Sequence, residues 1–557
     1  MDEKQALWTC LRASFTHKLE YWLGMLHPSQ VEEAARKVDS LFWGVLQVIS
    51  GSHLPREEGP VTCQCCPTVE GLRAAIPGLS NTTYQELTVQ LPIKKGGFGL
   101  RSQEFLVPYA YYGTLEQSVP HYSLGLCPGL AHLYGEQELG EARRWEPLLT
   151  SDTRTGKELA RVLDKIKKEA EALANYMGEE VPFHHASEAG ALGEGRKDGS
   201  TRHLMVKEIE RLRAAALKKY LEEYQDQSAR PVLVRKNTNK TSTAFLLARP
   251  GPHNGIHGVY FSEQLLALLA VPSVLCRGRE GERVGKLKVD KWGDNILNCN
   301  VPGGHFTRGH NIMKNTLNSL FKYCGLMSEV EPYGVFGDLI PQQPLNRILA
   351  HRASQAIIPD LRVELPVESG GTKPTYLEVK TVSGHCWYKP PTERAVKRRD
   401  IDVMQDYQDN ASKADIKHYK VPQGPITARL AQIGPIVPCC FGRFGESSDA
   451  VHKMVSIMAK ARVEKQQLAW GRGQQEEKSD MSQETAFIRR RISCAIVACF
   501  GQRLTSRMSQ VGNGAVSARE RRSHWSRDEE RSRRDREAAW LAKITGQDIV
   551  RRGRFWT

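Results

Sequence analysis

The chain has 557 residues, with 78 Lys and Arg against 63 Asp and Glu and a formal net charge of +15. That length exceeds what one hydrophobic core serves and implies roughly three or four folded units, while 40% hydrophobic and 25% charged residues exclude a chain disordered throughout. The positive balance points to a polyanion such as nucleic acid, with an ordinary basic soluble protein as the alternative. The opening MDEKQALW lacks the pattern of a secretion signal, and no uncharged apolar run reaches the ~18 residues of a membrane span. An intracellular location and no membrane partner are therefore expected, and 13 scattered cysteines read as reduced thiols.

In chain order, Leu7, Leu11, Phe15, Leu19 and Trp22 recur at helix spacing up to Pro28. Ser29 and Glu32 suggest a capping box for a second helix, whose stripe Val31, Ala35, Val38, Phe42, Val45 ends at Gly51. A turn-rich stretch leads to Leu91-Pro-Ile-Lys-Lys-Gly-Gly-Phe-Gly-Leu-Arg-Ser102. Two charged helices follow, near Lys157–Tyr176 and Leu204–Tyr224, and an apolar helix over Gly258–Leu268 opens a new unit. From His305 onward helix and strand alternate. Leu317, Leu320, Phe321 and Cys324 share a helix face closed by Gly325, then come strands over Ala356–Leu365 and Thr375–Val382. A long helix from Thr392 to Tyr419, an apolar run Gly434–Phe441 and a helix carrying Val451, Met454, Val455 and Met458 complete the unit. Beyond Gly471 the chain is strongly charged, with one apolar helix around Ile492–Phe500.

The residues that carry chemistry lie on two of these strands. In Leu361-Arg-Val-Glu-Leu365 and Tyr376-Leu-Glu-Val-Lys380, apolar and charged residues alternate, so one face is buried while Asp360, Glu378 and Lys380 share the other. A hairpin that sets Asp360 opposite Glu378 is centred on Ser369, leaving the loop Glu368-Ser369-Gly370 with glycine where positive φ is usual. Two carboxylates and an ammonium at one sheet edge suit phosphodiester hydrolysis with a hard divalent ion. Asp360 and Glu378, with Glu331, would hold Mg²⁺ or Mn²⁺, and Lys380 would orient the nucleophile or neutralise developing charge. The alternative is a solvated strand face with a surface ion pair.

These residues resemble the restriction-like PD-(D/E)xK endonuclease domain of non-LTR retrotransposon polyproteins. The matching positions are Gly293-Asp-Asn-Ile-Leu-Asn-Cys299, Arg308-Gly-His310-Asn311, Glu331-Pro332, Pro359-Asp360, Glu378-Val-Lys380 and Phe441-Gly-Arg-Phe-Gly-Glu446-Ser447. The family's Arg-His-Asn triplet is interrupted here by Gly309. Residues 91–102 resemble the segment that follows the reverse-transcriptase palm, although no Asp-Asp pair occurs in the chain for a polymerase site. The family's zinc knuckle leaves Cys276, Cys299, His305 and His310 as candidate ligands, at spacing unlike a tight clip. The Cys63-Gln-Cys65-Cys66 cluster reads as ordinary thiols.

The resemblance implies nicking of double-stranded DNA, with RNA as a further partner, no small-molecule cofactor and a nuclear location; the alternative is a catalytically inactive nucleic-acid-binding remnant. Arg308, His310, Lys397, Arg398, Arg399, Lys413, Lys417 and Tyr419 are the candidate nucleic-acid contacts, and Arg519–Arg536 is a mixed-charge arm or a solvated helix. The expected fold class is multidomain α and α/β. A reverse-transcriptase thumb-like helical region would occupy 1–125, a charged helical spacer 126–245 and a helical or zinc-knuckle-like connector 246–304. The PD-(D/E)xK α/β core would occupy 305–470 and a charged, basic helical or partly disordered tail 471–557.

Overall fold

The structure is a computed structural model that describes residues 3–15, 20–52, 54, 83–123, 151–181, 201–224, 226, 229–251, 254–284, 287–299, 305–339, 357–367, 370–382, 392–470 and 474–511. The Cys63–Cys66 cluster, Glu368, Ser369 and the Arg519–Arg536 segment lie outside them. The fold is mostly helical with a small mixed sheet. Among the described residues no helix is long and apolar enough to cross a membrane.

Among the described residues the regular elements of the N-terminal half are helices: α1 (Glu3–Cys10), α2 (Glu20–Met25), α3 (Pro28–Ser50), α4 (Tyr84–Gln90), α5 (Gln103–Ser123), α6 (Arg154–Met177), α7 (Thr201–Glu223), α8 (Arg230–Asn237) and α9 (Gly258–Leu268). Helix α3 buries Val31 and Ala35 of the predicted stripe but sets Trp43, Leu46 and Ile49 in the core where Val38, Phe42 and Val45 were expected, these three being only partly buried, and it ends as predicted at Gly51 in the left-handed region. Its start differs from expectation. Pro28 fits the first helical position because its missing N–H is not needed there, so His27 becomes the cap and Ser29 lies inside the helix. The capping box forms instead at Thr83 and Glu86, ahead of α4.

The glycine-rich segment 91–102 packs the fully buried Phe98 edge-on against Trp8, with ring centroids 5.9 Å apart. Gly97 is obligatory there, since a Cβ would lie 2.0 Å from the Leu91 carbonyl oxygen. The segment then hands over to α5, whose first N–H groups are capped by Asp39 of α3.

The second half begins with a small hairpin, β1 (Arg283–Val284) and β2 (Leu287–Lys288), followed by α10 (Asp294–Asn298) and α11 (His305–Tyr323). Strands β3 (Ser328–Val330), β4 (Leu361–Pro366), β5 (Thr372–Val382) and β6 (Val437–Gly442) form one sheet in that order, antiparallel except for the parallel β5–β6 pair. Between β5 and β6 run α12 (Thr392–Tyr419) and α13 (Pro425–Ile433); α14 (Asp449–Trp470) and α15 (Gln474–Met508) follow. One sheet face packs Leu361, Val363, Leu377 and Val379 against α11, α14 and α15. The other carries Tyr376 in a smaller core with Val403, Tyr407 and Ala411 of α12 and Ile426 and Leu430 of α13. The sheet is therefore helix-covered on both sides, which a parallel crossover between β5 and β6 demands.

Two expectations about organisation need correction. The segment 246–304 is not one connector. Helix α9 belongs to the core of the N-terminal half, whereas Cys276, Val284, Ile296 and Cys299 belong to the sheet core. The tail expected over 471–557, basic and helical or partly disordered, is over 474–511 a helix built into the core of both halves. Helix α15 buries Ile488, Ile492, Ile496 and Phe500 in the sheet core and Cys494 and Val497 in the N-terminal core. A helix with packing on several sides has no single apolar stripe, so its charged residues dominated the sequence pattern.

A buried charge cluster ties the halves together. Asp294 of α10 accepts from Arg230 of α8 at 2.6 Å and from Arg443 beyond β6, with all three side chains at most 5% exposed. The Arg230 guanidinium also lies over the rings of Trp292 and Phe444, 4.9 and 4.8 Å from their centroids. The Phe441–Ser447 motif is thus an inter-unit joint. Gly442 leaves room for Glu446, whose carboxylate would otherwise meet a Cβ at 1.9 Å, and Ser447 hydrogen-bonds Thr241 at 2.8 Å.

Burial pushes the Glu446 carboxyl up to about 8 from 4.5. The folded protein therefore binds a proton that the unfolded chain has released between those values. The stability associated with that proton is fully present below about 4.5 and is lost as pH rises to about 8. Glu446→Gln should flatten the fall of melting temperature from pH 5 to 8.5 and stabilise the protein at the alkaline end by on the order of a few kcal/mol. Parallel melting curves for wild type and variant across that range would contradict the buried, protonated Glu446.

Candidate active site

The β4–β5 register pairs Leu361 with Leu377 and Pro366 with Thr372. Carried one residue further it sets Asp360 beside Glu378, the pairing that strand alternation and the Gly370 turn predict. Gly370 has φ of 82° and Gly371 of 90°. The hairpin therefore turns where L side chains are disfavoured.

Asp360 precedes β4, where no further strand carbonyl remains to accept the N–H of Val379. Its carboxylate fills that role, with Oδ2 accepting from Val379 N at 2.8 Å. Oδ1 lies 2.8 Å from His310 Nε2 and 3.9 Å from Lys314 Nζ, both on α11. Burial opposes ionisation of Asp360. The His310 hydrogen bond and charge, the Val379 N–H and the Lys314 ammonium outweigh it and hold the carboxyl below its ordinary value.

Glu378, 8% exposed, is shifted the other way: burial first, then the charge of Asp360, raise it, against the pull of Lys380 and Tyr407. Lys380 Nζ donates to Oε1 and the Tyr407 hydroxyl to Oε2, each at 2.6 Å. Burial and the Glu378 charge push Tyr407 well above the ordinary phenol value, so it remains a donor. Two neighbouring carboxyls are thus driven in opposite directions, a recurrent property of acid–base and metal sites.

Glu331 joins the edge of this group. Its N–H donates to the Asp360 carbonyl at 2.9 Å and its side chain accepts from Lys314 at 2.5 Å. Its φ of 48° is left-handed, an uncommon conformation for a side chain of this size, and such strain concentrates at functional sites. The ammonium of Lys314, only 5% exposed, sits between Glu331 and Asp360. Among the described residues no three His, Cys, Asp or Glu side chains form one metal-binding group.

Sequence reasoning missed Lys314 and Tyr407. The first had a signal, because His310 and Lys314 are four apart and share a helix face. Tyr407 falls in the apolar stripe Val403, Tyr407, Ala411, Ala414 of α12, where only its hydroxyl departs from a packing role. Gly309 also has a cause. A Cβ there would lie 2.9 Å from Cys499 Sγ and 3.2 Å from Arg503 Nη2, so the glycine lets α15 pack against α11 one residue from His310. Arg503 in turn donates to Thr381, next to Lys380, at 2.7 Å.

The other candidates make no hydrogen bond or ion pair to Asp360, Glu378 or Lys380 among the described residues. Arg308, Lys413 and Lys417 are exposed, and the Tyr419 hydroxyl bonds the Leu339 carbonyl. Lys397, Arg398 and Arg399 lie on α12, and their side chains, like that of His305, lie outside the described set. Of the zinc candidates, His310 is engaged with Asp360, Cys299 donates to the Val284 carbonyl at 2.8 Å, and Cys276 is fully buried with its thiol pushed up to about 12 by desolvation. Among the described residues Cys276, Cys299 and His310 do not form one metal-binding group.

A scan against protein-family models matches none. A search of curated proteins returns no match either.

Proposed function

We propose that this chain is a divalent-metal-dependent DNA endonuclease of PD-(D/E)xK type, related to non-LTR retrotransposon proteins and lacking a polymerase palm, with nuclear DNA as substrate. The observation that carries the reading is the Asp360–Glu378 pair. Two buried carboxyls meet at the end of a β-hairpin, with Lys380 on the same strand as Glu378. Mg²⁺ is commonly held by only one or two carboxylates, with water and substrate phosphates completing its shell, so two adjacent hard oxygen donors fit it or Mn²⁺. When bound, such an ion neutralises phosphate charge and acidifies water.

The chain's own residues then have distinct tasks. Asp360 is oriented by the Val379 N–H and His310, and Glu378 by Tyr407. The Lys380 ammonium is available to stabilise negative charge on the scissile phosphate. Glu331 supports the Asp360 backbone and anchors Lys314.

A second reading is favoured by one feature. Lys314, His310 and Lys380 already satisfy the carboxylates, as they would in an inactive nucleic-acid-binding remnant. Incubation with supercoiled plasmid in Mg²⁺ separates the two. The endonuclease converts it to nicked circles and Asp360→Asn does not; intact plasmid with wild type and full DNA binding identifies the remnant.

A further inference from the structure

We propose that Lys314 is a built-in cation that holds the position between Glu331 and Asp360, so that the centre takes a single divalent ion, at Asp360 and Glu378, and Glu331 anchors the lysine instead of binding metal. The divalent ion rests on the endonuclease reading; the place of Lys314 rests on geometry. Its ammonium donates to Glu331 Oε1 at 2.5 Å and lies 3.9 Å from Asp360 Oδ1.

Both sides of this contact are fixed by the fold. Lys314 stands in the core-facing row of α11, where Met313, Leu317, Leu320 and Phe321 are at most 1% exposed, and is itself only 5% exposed. Helix α11 lies against β3, β4, β5, α14 and α15, so the stem of the lysine is enclosed. An ammonium in such a place is tolerated where carboxylates offset its desolvation. On the other side, the β3–β4 register pairs Val330 with Leu361, which sets residue 331 beside residue 360. The Glu331 N–H donates to the Asp360 carbonyl at 2.9 Å, locking the two backbones together. One helical turn before Lys314, His310 Nε2 lies 2.8 Å from the same Asp360 Oδ1, so two side chains of α11 converge on that oxygen.

Phosphodiester cleavage can be carried by two divalent ions that clamp the attacking and leaving oxygens. Here the chain itself fills a cationic position at the centre. A lysine ammonium is a compact point charge with three donors, and it needs no loading from solution. His310 apart, three carboxylates, the ammonium groups of Lys314 and Lys380 and one divalent ion leave a single positive charge, the complement of one scissile phosphodiester. A second divalent ion in place of the Lys314 ammonium would leave that charge unbalanced.

The test counts bound Mn²⁺ by electron paramagnetic resonance while the ion is titrated into the full chain, with no nucleic acid present. Wild type should bind one Mn²⁺. Lys314→Met, which keeps most of the stem and removes the ammonium, should bind two, because Glu331 and Asp360 lose the cation between them. Its melting temperature should be lower than that of wild type without metal and should rise further with it. The double variant Lys314→Met, Glu331→Gln should return to one ion, and Lys314→Arg should stay at one. Glu331→Gln alone should also keep one ion, and it carries the test if Lys314→Met does not fold. Two ions in wild type, one in both wild type and Lys314→Met, or none in Glu331→Gln beside one in wild type overturns the proposal and leaves the endonuclease reading standing. No ion in wild type with one in Lys314→Met supports the lysine as the occupant and contradicts the metal-dependent endonuclease. No ion in either contradicts both.

Discussion

Asp294→Asn should destabilise the protein by roughly 3–5 kcal/mol, the cost of leaving buried charges without their partner. The substitution preserves shape, so the loss isolates electrostatics. Arg230 and Arg443 would remain in a space where each is about 5% exposed or less, with no carboxylate between them. Because one arginine comes from the N-terminal half and the other follows β6, the damage should appear as loosened coupling between the halves. A single urea transition in wild type should split or broaden in the variant. Replacing Arg230 and Arg443 by Met in the Asp294→Asn background should recover part of the loss, since the uncompensated charges are removed. A change below about 1 kcal/mol would place the cluster with exposed ion pairs and refute the joint.

Lys380→Ala should slow plasmid nicking by about 10²- to 10³-fold, the usual cost of removing one preorganised charge stabiliser, while leaving most of the stability in place. Leu377 and Val379 carry the packing of β5, and Lys380 is partly exposed. Loss of the ammonium removes the nearest cation from Glu378, whose carboxyl is already raised by burial and by Asp360. That group then takes up a proton more readily and keeps its hydrogen bond to Tyr407. The variant should consequently lose activity most steeply at the acid end of the pH profile. Activity and melting temperature falling in proportion would make Lys380 a structural residue.

How much of this was legible in the sequence depends on the kind of force involved. The Asp360–Glu378 register could be read because strand alternation and a glycine turn are local signals. The limits of α9 and α12 could be read for the same reason, from stripes and caps. The joint could not. Gly293-Asp294 and Phe441–Ser447 were visible as motifs, but their meeting through Asp294, Arg443 and Arg230 joins residues up to 213 positions apart, and nothing local encodes that. The extent of helix α15 beyond the apolar run Ile492–Phe500 hid in the same way. Its buried Arg507 donates through Nη1 to the Ile296 and Leu297 carbonyls, and a buried arginine leaves no trace in hydrophobic periodicity. His310 was placed among zinc and DNA contacts because its position in α11 was known, whereas the closeness of Asp360 depends on how α11 meets the sheet.

The metal site on which the account turns is tested most directly by melting wild type and Asp360→Asn side by side with increasing Mg²⁺. An ion that binds the folded state alone raises its melting temperature, by about 2.7 kcal/mol of added stability at a hundredfold excess over Kd. Wild type should climb with added metal, while Asp360→Asn starts at a lower temperature without metal, because His310, Lys314 and the Val379 N–H lose the charged partner they hold ionised, and climbs less. Equal shifts in the two proteins would contradict the metal site, and with it the roles given to Glu378 and Lys380.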